Sequence, residues 1–256
     1  MITKLVDRMI GQEILESENR DEYIYALTIR AEQVITYTLL AMVCLWTHNI
    51  LEGLIYAVAF KGIRQYSGGY HAKTLLGCLV GTIAMLLAVV RWIAPFLQAH
   101  PIVMIFLVII SICVLFIFSP VNHPNLNLSK EEMSDCRKGV YVAILTEVLI
   151  ASCLYLLSGI LHIFIASAII LCALTVILAK LLRQEIMLNI MEQCACSINK
   201  WRIIMEKKEN PVMKLTGKIV KRDVRVIEQG WPPMCVGFLH QPARPQSLQH
   251  KDVTKK

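Results

Sequence analysis

The sequence is poor in charge and lacks any cysteine pattern that would build a metal site or a disulfide framework. Asp, Glu, Lys and Arg together make up 18% of its 256 residues, against about a quarter in ordinary soluble domains. No CxxC pair occurs among the nine cysteines. Cys194-Ala-Cys196 has no second pair to complete a zinc site, so no metal or other cofactor is expected. Cys44, Cys113, Cys136, Cys153 and Cys172 stand singly in or beside apolar segments, where cysteine acts as a small hydrophobe. An odd count without framework spacing points to thiols kept reduced on the cytoplasmic side. A cleavable leader is not expected either, because Asp7, Arg8, Glu13 and Glu16 interrupt the first apolar stretch.

What the chain has instead is hydrocarbon. Apolar residues make up 56% of it, and the mean hydropathy is +0.56. Six apolar runs are read at about 33–48, 50–60, 74–95, 101–119, 139–157 and 160–180. A membrane-spanning helix needs about 20 residues, and the first two runs are short of that. The links Thr47-His48-Asn49, Phe96–Pro101 and Ser158-Gly159 carry no Lys or Arg. The alternate connections carry Lys61, Arg64 and Lys73, then Lys130, Arg137 and Lys138, then Lys180 and Arg183. Positive charge stays on the cytoplasmic side, so both termini are expected inside, and His48, His100 and His162 at the outer interface. The fold class is therefore an all-α polytopic membrane protein with about six membrane-embedded helical segments, in the bacterial cell membrane.

The net charge of +7 suits loops beside anionic lipid; with the basic residues at the ends of apolar runs, no nucleic acid partner is expected. Residues 1–16 place Ile2, Leu5, Met9, Ile10 and Glu13 near one helical face, which reads as an amphipathic helix on the membrane surface. Arg91 and Glu147 are ionisable residues that fall inside long apolar runs. Arg91 is expected to snorkel or face a partner. Glu147, in the fifth run, is expected to pair with Arg91, cradle a substrate or sit protonated against a neighbouring helix.

The chemistry-bearing stretch runs from Arg64 to Cys78. A thiol becomes a strong nucleophile as thiolate, and an imidazole nearby can take its proton. His71 and Cys78 supply those two groups. Gly68-Gly69 permits a tight backbone path before the histidine, and Arg64 and Lys73 make the neighbourhood electropositive. Seven residues of unbroken helix would separate the two side chains by about 10 Å along the axis, too far for proton transfer. His71 is therefore expected on a loop that precedes the helix and folds back over its first turns. Gln65, Ser67 and Glu147 are candidates for a third catalytic group.

The string Arg64…Gly68-Gly69-Tyr70-His71-Ala72-Lys73…Cys78 resembles the accessory gene regulator protein B family of membrane cysteine endopeptidases in Gram-positive quorum sensing. The likeness extends to the loop Ser119-Pro120-Val121…Leu128-Ser129-Lys130-Glu131-Glu132 and to Arg137-Lys138, and covers about residues 1–200. It implies that His71 and Cys78 are catalytic, that Arg64 and Gly69 belong to the same essential segment, and that the protein forms a homodimer. The loop departs from the expected pattern at Val121-Asn122-His123, where an acidic residue after the proline would be expected.

After Arg183 the composition changes. Residues 184–204 read as a continuing cytoplasmic helix that closes a peptidase unit, 1–204. The segment 205–256 reads as a second unit. Its first part, 211–229, is a basic amphipathic helix with Val212, Leu215, Ile219 and Val226 on one face. Next come the breaker Gly230-Trp231-Pro232-Pro233, the apolar run Cys235-Val236-Gly237-Phe238-Leu239, and a polar, proline-bearing end from His240 to Lys256. A disordered basic tail would have the same composition. The order of parts, however, resembles the autoinducer propeptide that is the peptidase's substrate. It implies cleavage after Leu239, release of a tail beginning at His240, and closure of a thiolactone ring from Cys235 to Leu239. A peptide exporter or a non-enzymatic scaffold are the rival classes. An exporter would need polar residues through several spans, and only Arg91 and Glu147 suggest that.

Overall fold

The computed structural model describes residues 2–184, 211–228 and 242–245, and among these there is helix and no strand. The helices are α1 (Ile2–Gly11), α2 (Arg20–Thr47), α3 (Ile50–Ser67) and α4 (Leu75–Ala88). They are followed by α5 (Ala94–Ala99), α6 (Pro101–Phe118), α7 (Lys130–Ser158), α8 (His162–Leu181) and α9 (Pro211–Glu228). A π-helical turn, Val89–Ile93, joins α4 to α5. Its cause is local: Pro95 cannot donate to the carbonyl of residue 91, and its ring crowds that carbonyl, so the helix widens there instead of breaking.

Five helical stretches are long and apolar enough to cross a bilayer: Ser17–Thr47, Leu75–Ala99, Pro101–Phe118, Lys130–Leu157 and His162–Leu181. The protein is thus a helical, multi-pass membrane protein, as the composition requires. Their outward faces carry Trp46, Ile105, Phe106, Ile109, Val142 and Leu156, all exposed, as lipid-facing residues should be. The core lies around α8, most of which is buried inside the bundle. There Ile165, Ile169, Cys172 and Val176 pack with Phe60 and Ile63 of α3 and Leu115 of α6.

Helix α3 falls outside that set of five, and its position accounts for its composition. It packs chiefly on α8 and also on α7, so its polar groups, Arg64 and Ser67 above all, are buried in protein rather than presented to lipid. The loops at 68–74 and 119–129 meet each other and the later part of α8 at one end of the bundle. The amide of Val121 donates to the carbonyl of Ser67 (3.0 Å), and the amide of Tyr70 to the carbonyl of Thr175 (2.8 Å). The turns at 48–49, 100 and 159–161 belong to the opposite end.

Several sequence expectations are corrected. The helices outrun their apolar runs: α2 begins at Arg20 and α7 at Lys130, so Arg137 and Lys138 lie on a helix and not in a connecting loop. The link after α5 is His100 alone, with Pro101 opening α6. Helix α8 stops at Leu181, and Arg183 takes a left-handed φ of 52°. Residue 184 therefore does not continue a helix, and 185–204 lie outside the described residues. Arg91 is exposed on the π turn, while Glu147 is buried facing α3, its Oε1 at 3.0 Å from where a side chain on Gly62 would begin. The two do not pair.

The N-terminal helix does have a core to pack on. Val6 and Met9 are fully buried with Tyr23 and Ala26 of α2 and Val220 and Val224 of α9. Val6 was not on the expected face. Asp7 pairs with Arg20 at 2.7 Å, and a hydrogen bond from that guanidinium holds the carboxyl below its ordinary range. On α9 the protein-facing residues are Val220 and Val224, and Asp223 takes two bonds from Arg30 at 2.6 and 2.7 Å. Leu215 and Ile219 of the expected apolar face are exposed. They remain available to a membrane surface, while the other side of the helix docks on α1 and α2.

Candidate active site

Helix α4 starts at Leu75, so His71 lies before it, in the loop expected from the spacing. Thr74 caps the helix, its hydroxyl accepting from the amide of Gly77 at 3.1 Å. Cys78 is on the first turn, and its amide closes that turn on the carbonyl of Thr74 (3.0 Å). The thiol is thus set at the N-terminal end of α4, beside the loop that carries His71. Cys78 is almost wholly buried, with the hydroxyl of Thr82 one turn on at 4.0 Å from its Sγ.

The loop folds back over that turn. Ala72 packs on Cys78, with Tyr70 and Met85 closing around them. The Cβ of Ala72 is 3.6 Å from where a side chain on Gly77 would begin. This brings the residue next to His71 into contact with Cys78.

Four elements hold His71 in place. First, Arg64 is completely buried and donates from its two terminal nitrogens to the carbonyls of Gly68 and Tyr70, tying the loop to the end of α3. Second, Gly68 (φ 65°) and Gly69 (φ 122°) adopt conformations that side chains disfavour. A Cβ on Gly68 would stand 2.7 Å from the carbonyl oxygen of Val121, and one on Gly69 would enter the Arg64 guanidinium. Third, Gln184, just past α8, brackets the histidine backbone. Its Oε1 accepts from the His71 amide (2.9 Å), and its Nε2 donates to the His71 carbonyl (3.0 Å). Fourth, the His123 ring lies against the His71 ring, with centroids 4.6 Å apart.

His123 sits in the loop between α6 and α7, which is itself tightly organised. The Asn122 side chain bonds both ways to the backbone of Leu128, at 2.9 and 3.1 Å. The Nδ1 of His123 accepts from the amide of Asn125 (3.2 Å), which leaves the proton of the neutral ring on Nε2. Burial, aided by the positive charge of Arg64, holds this imidazole below its ordinary pKa of 6.5.

The sequence-read site residues therefore separate into groups. Arg64, Gly68, Gly69, His71 and Cys78 come together at the loop and the start of α4. Lys73 is exposed on the same loop. Gln65 and Glu147 instead line a cavity of about 590 Å³ between α3 and α7, bordered also by Tyr66, Lys138 and Gly139. Neither His71 nor Cys78 borders it. Ser67 is buried, its hydroxyl donating to the Gly68 carbonyl at 3.2 Å. Sequence reasoning missed Gln184, Thr82 and Thr175, whose partners are set by tertiary contact. His123 carried a signal, since it stands where the loop departs from the expected pattern. Cys235, Leu239 and His240 lie outside the described residues. Among the described residues no group of three His, Cys, Asp or Glu side chains is arranged to hold a metal ion.

The family model described as Accessory gene regulator B matches residues 2–195. The chain belongs to the accessory gene regulator B family. With that membership comes a part in the accessory gene regulator quorum-sensing system. The match spans the whole membrane bundle and stops before α9. Neither a curated protein nor a solved structure matches the chain significantly.

Proposed function

We propose that this accessory gene regulator B protein is a membrane cysteine endopeptidase that matures a signalling propeptide carried on its own C-terminus. The observation that carries the reading is the fold-back of the His71 loop onto the first turn of α4, where Ala72 packs on the buried thiol of Cys78. Family membership supports peptide processing as the kind of activity. The rigid anchoring of His71 by Arg64 and Gln184 supports a histidine whose position matters.

In this mechanism His71 takes the proton of Cys78, and the thiolate attacks the carbonyl carbon of Leu239. The C–N bond to His240 breaks, and His71 returns the proton to the leaving amine. The acyl group remains on Cys78 as a thioester. The thiol of Cys235 then attacks that thioester, closing a five-residue thiolactone and restoring the Cys78 thiol. Exchange of one thioester for another conserves the acyl activation, provided water is kept out. The apolar surroundings of Cys78 suit that requirement. The reaction belongs on the cytoplasmic face, where the basic loops gather.

Intact-mass analysis of the tail tests the reading. The wild-type protein should release His240–Lys256. Cys78→Ala should release none, and His71→Ala should slow release by about 10²-fold or more. Cys235→Ala should yield hydrolysed but unringed product. Release of the same fragment by Cys78→Ala would end the assignment and favour a scaffold or exporter.

A further inference from the structure

The described part of the tail does not stand apart from the bundle. Arg244 is buried, its side chain only 6% exposed, and donates to Oε1 of Glu132 at 3.0 Å. Its amide donates to the carbonyl of Asn125 at 2.8 Å. Burying a guanidinium is costly unless a carboxylate compensates it, and Glu132 supplies that carboxylate, while the backbone bond to Asn125 fixes the chain beside it.

The seat is braced by bonds within the bundle itself. Glu132 is the third residue of a capping box at the start of α7: its Oε2 accepts from the amide of Ser129 at 2.9 Å, and the Ser129 hydroxyl accepts from the Glu132 amide at 3.2 Å. One carboxylate oxygen is thus fixed by the helix cap, leaving the other aimed at the guanidinium. The carbonyl of Asn125 is held out by a loop that Asn122 ties together across Leu128. Pro242 and Pro245 flank the pair and favour extended backbone around Arg244.

We propose that the loop between α6 and α7, through Glu132 and the carbonyl of Asn125, is a recognition site for a proline-flanked arginine in the part of the propeptide that leaves. This rests on the peptidase reading above and deepens it by naming what the enzyme grips beyond the cut. The site adjoins the chemistry through short links. The amide of Asn125, whose carbonyl takes the tail, donates to Nδ1 of His123, and the His123 ring lies on His71. Leu239 is five residues before Arg244, so at most roughly 17 Å of extended chain separates them. A docked Arg244 therefore holds the scissile carbonyl within reach of the dyad and raises its local concentration. It also presses on the loop that carries His123, so an occupied seat steadies the ring against His71.

Docking is tested apart from cleavage by placing a photo-reactive benzoylphenylalanine at position 243 of the full-length Cys78→Ala protein. Illumination should cross-link it to peptides from 119–132. Arg244→Glu should reduce that cross-link by about tenfold or more, and adding Glu132→Arg should restore it. A cross-link indifferent to Arg244→Glu, or falling elsewhere, overturns the proposal. Glu132 also caps α7, so Arg244→Glu and Arg244→Ala decide the matter even where the Glu132 variant does not fold.

The second arm keeps Cys78. Tail release should slow by about tenfold with Arg244→Glu and recover in the charge-swapped pair. Unchanged release by Arg244→Glu overturns the recognition role. If the wild-type protein releases no tail, the peptidase reading falls, and the cross-link alone decides the docking.

Discussion

At the scale of single residues, Arg64 has the most to do with the position of His71. It is fully buried at the end of α3, and its planar fork spans two carbonyls, Gly68 and Tyr70, that a single point charge would not reach together. Glycine at 69 leaves the room that fork occupies. The sequence suggests a different role for Arg64, an electropositive neighbour of the thiol, and the two roles predict different outcomes. If the role is electrostatic, Arg64→Lys keeps it. With a structural fork, Arg64→Lys should lose tail release about as completely as Arg64→Ala, by about tenfold or more, since each charge-assisted bond contributes about 1.5–3 kcal/mol. The comparison needs the tail mass assay and a thermal melt of each variant. Recovery by lysine would return Arg64 to the electrostatic role. The residue types of the site were legible because a nucleophile and its base are few in kind. Gln184 was not legible, because a backbone bracket 113 residues away leaves no local pattern.

At the scale of elements, apolar windows mark only the part of a helix that meets lipid. Helix α7 begins nine residues before its run at 139, at a capping box readable as Ser129-x-x-Glu132. The amphipathic helices α1 and α9 were recognisable by periodicity, but periodicity does not say which neighbour each face takes. Helix α9 offers two faces, Val220 with Val224 toward α1 and α2, and Leu215 with Ile219 outward. Substitution on each should therefore do different things. Val224→Asp places a charge in the small core with Val6 and Met9. It should cost roughly 2 kcal/mol or more, loosening α9 so that its amides exchange hydrogen at least about tenfold faster. Leu215→Asp should leave that exchange unchanged and weaken only contact with lipid. Equal effects of the two would mean that α9 is not seated on the bundle.

At the scale of the whole molecule, the distribution of Lys and Arg and the packing of α3 lead to the same topology. Alternating basic and uncharged links requires an even number of crossings between the termini of the bundle, yet five helices qualify by composition. Helix α3 resolves the count. Placed between α7 and α8, it can carry Arg64, Lys61 and Glu52 through the membrane region because protein, not lipid, surrounds its polar side. With six crossings, the loops at 68–74 and 119–129 share one end of the bundle, joined by the bond from Val121 to Ser67, and the positive-inside rule makes that the end expected in the cytoplasm. The turns at 48–49, 100 and 159–161 then face outward. Single cysteines in a cysteine-free chain test this with a membrane-impermeant maleimide. Asn49→Cys and Ile160→Cys should label on intact cells, while Lys73→Cys and Lys138→Cys should label only in inverted vesicles. Labelling of Lys73→Cys from outside would move the site to the wrong face for a cytoplasmic peptidase. Labelling of Asn49→Cys and Lys73→Cys from the same side would mean that α3 turns back without crossing.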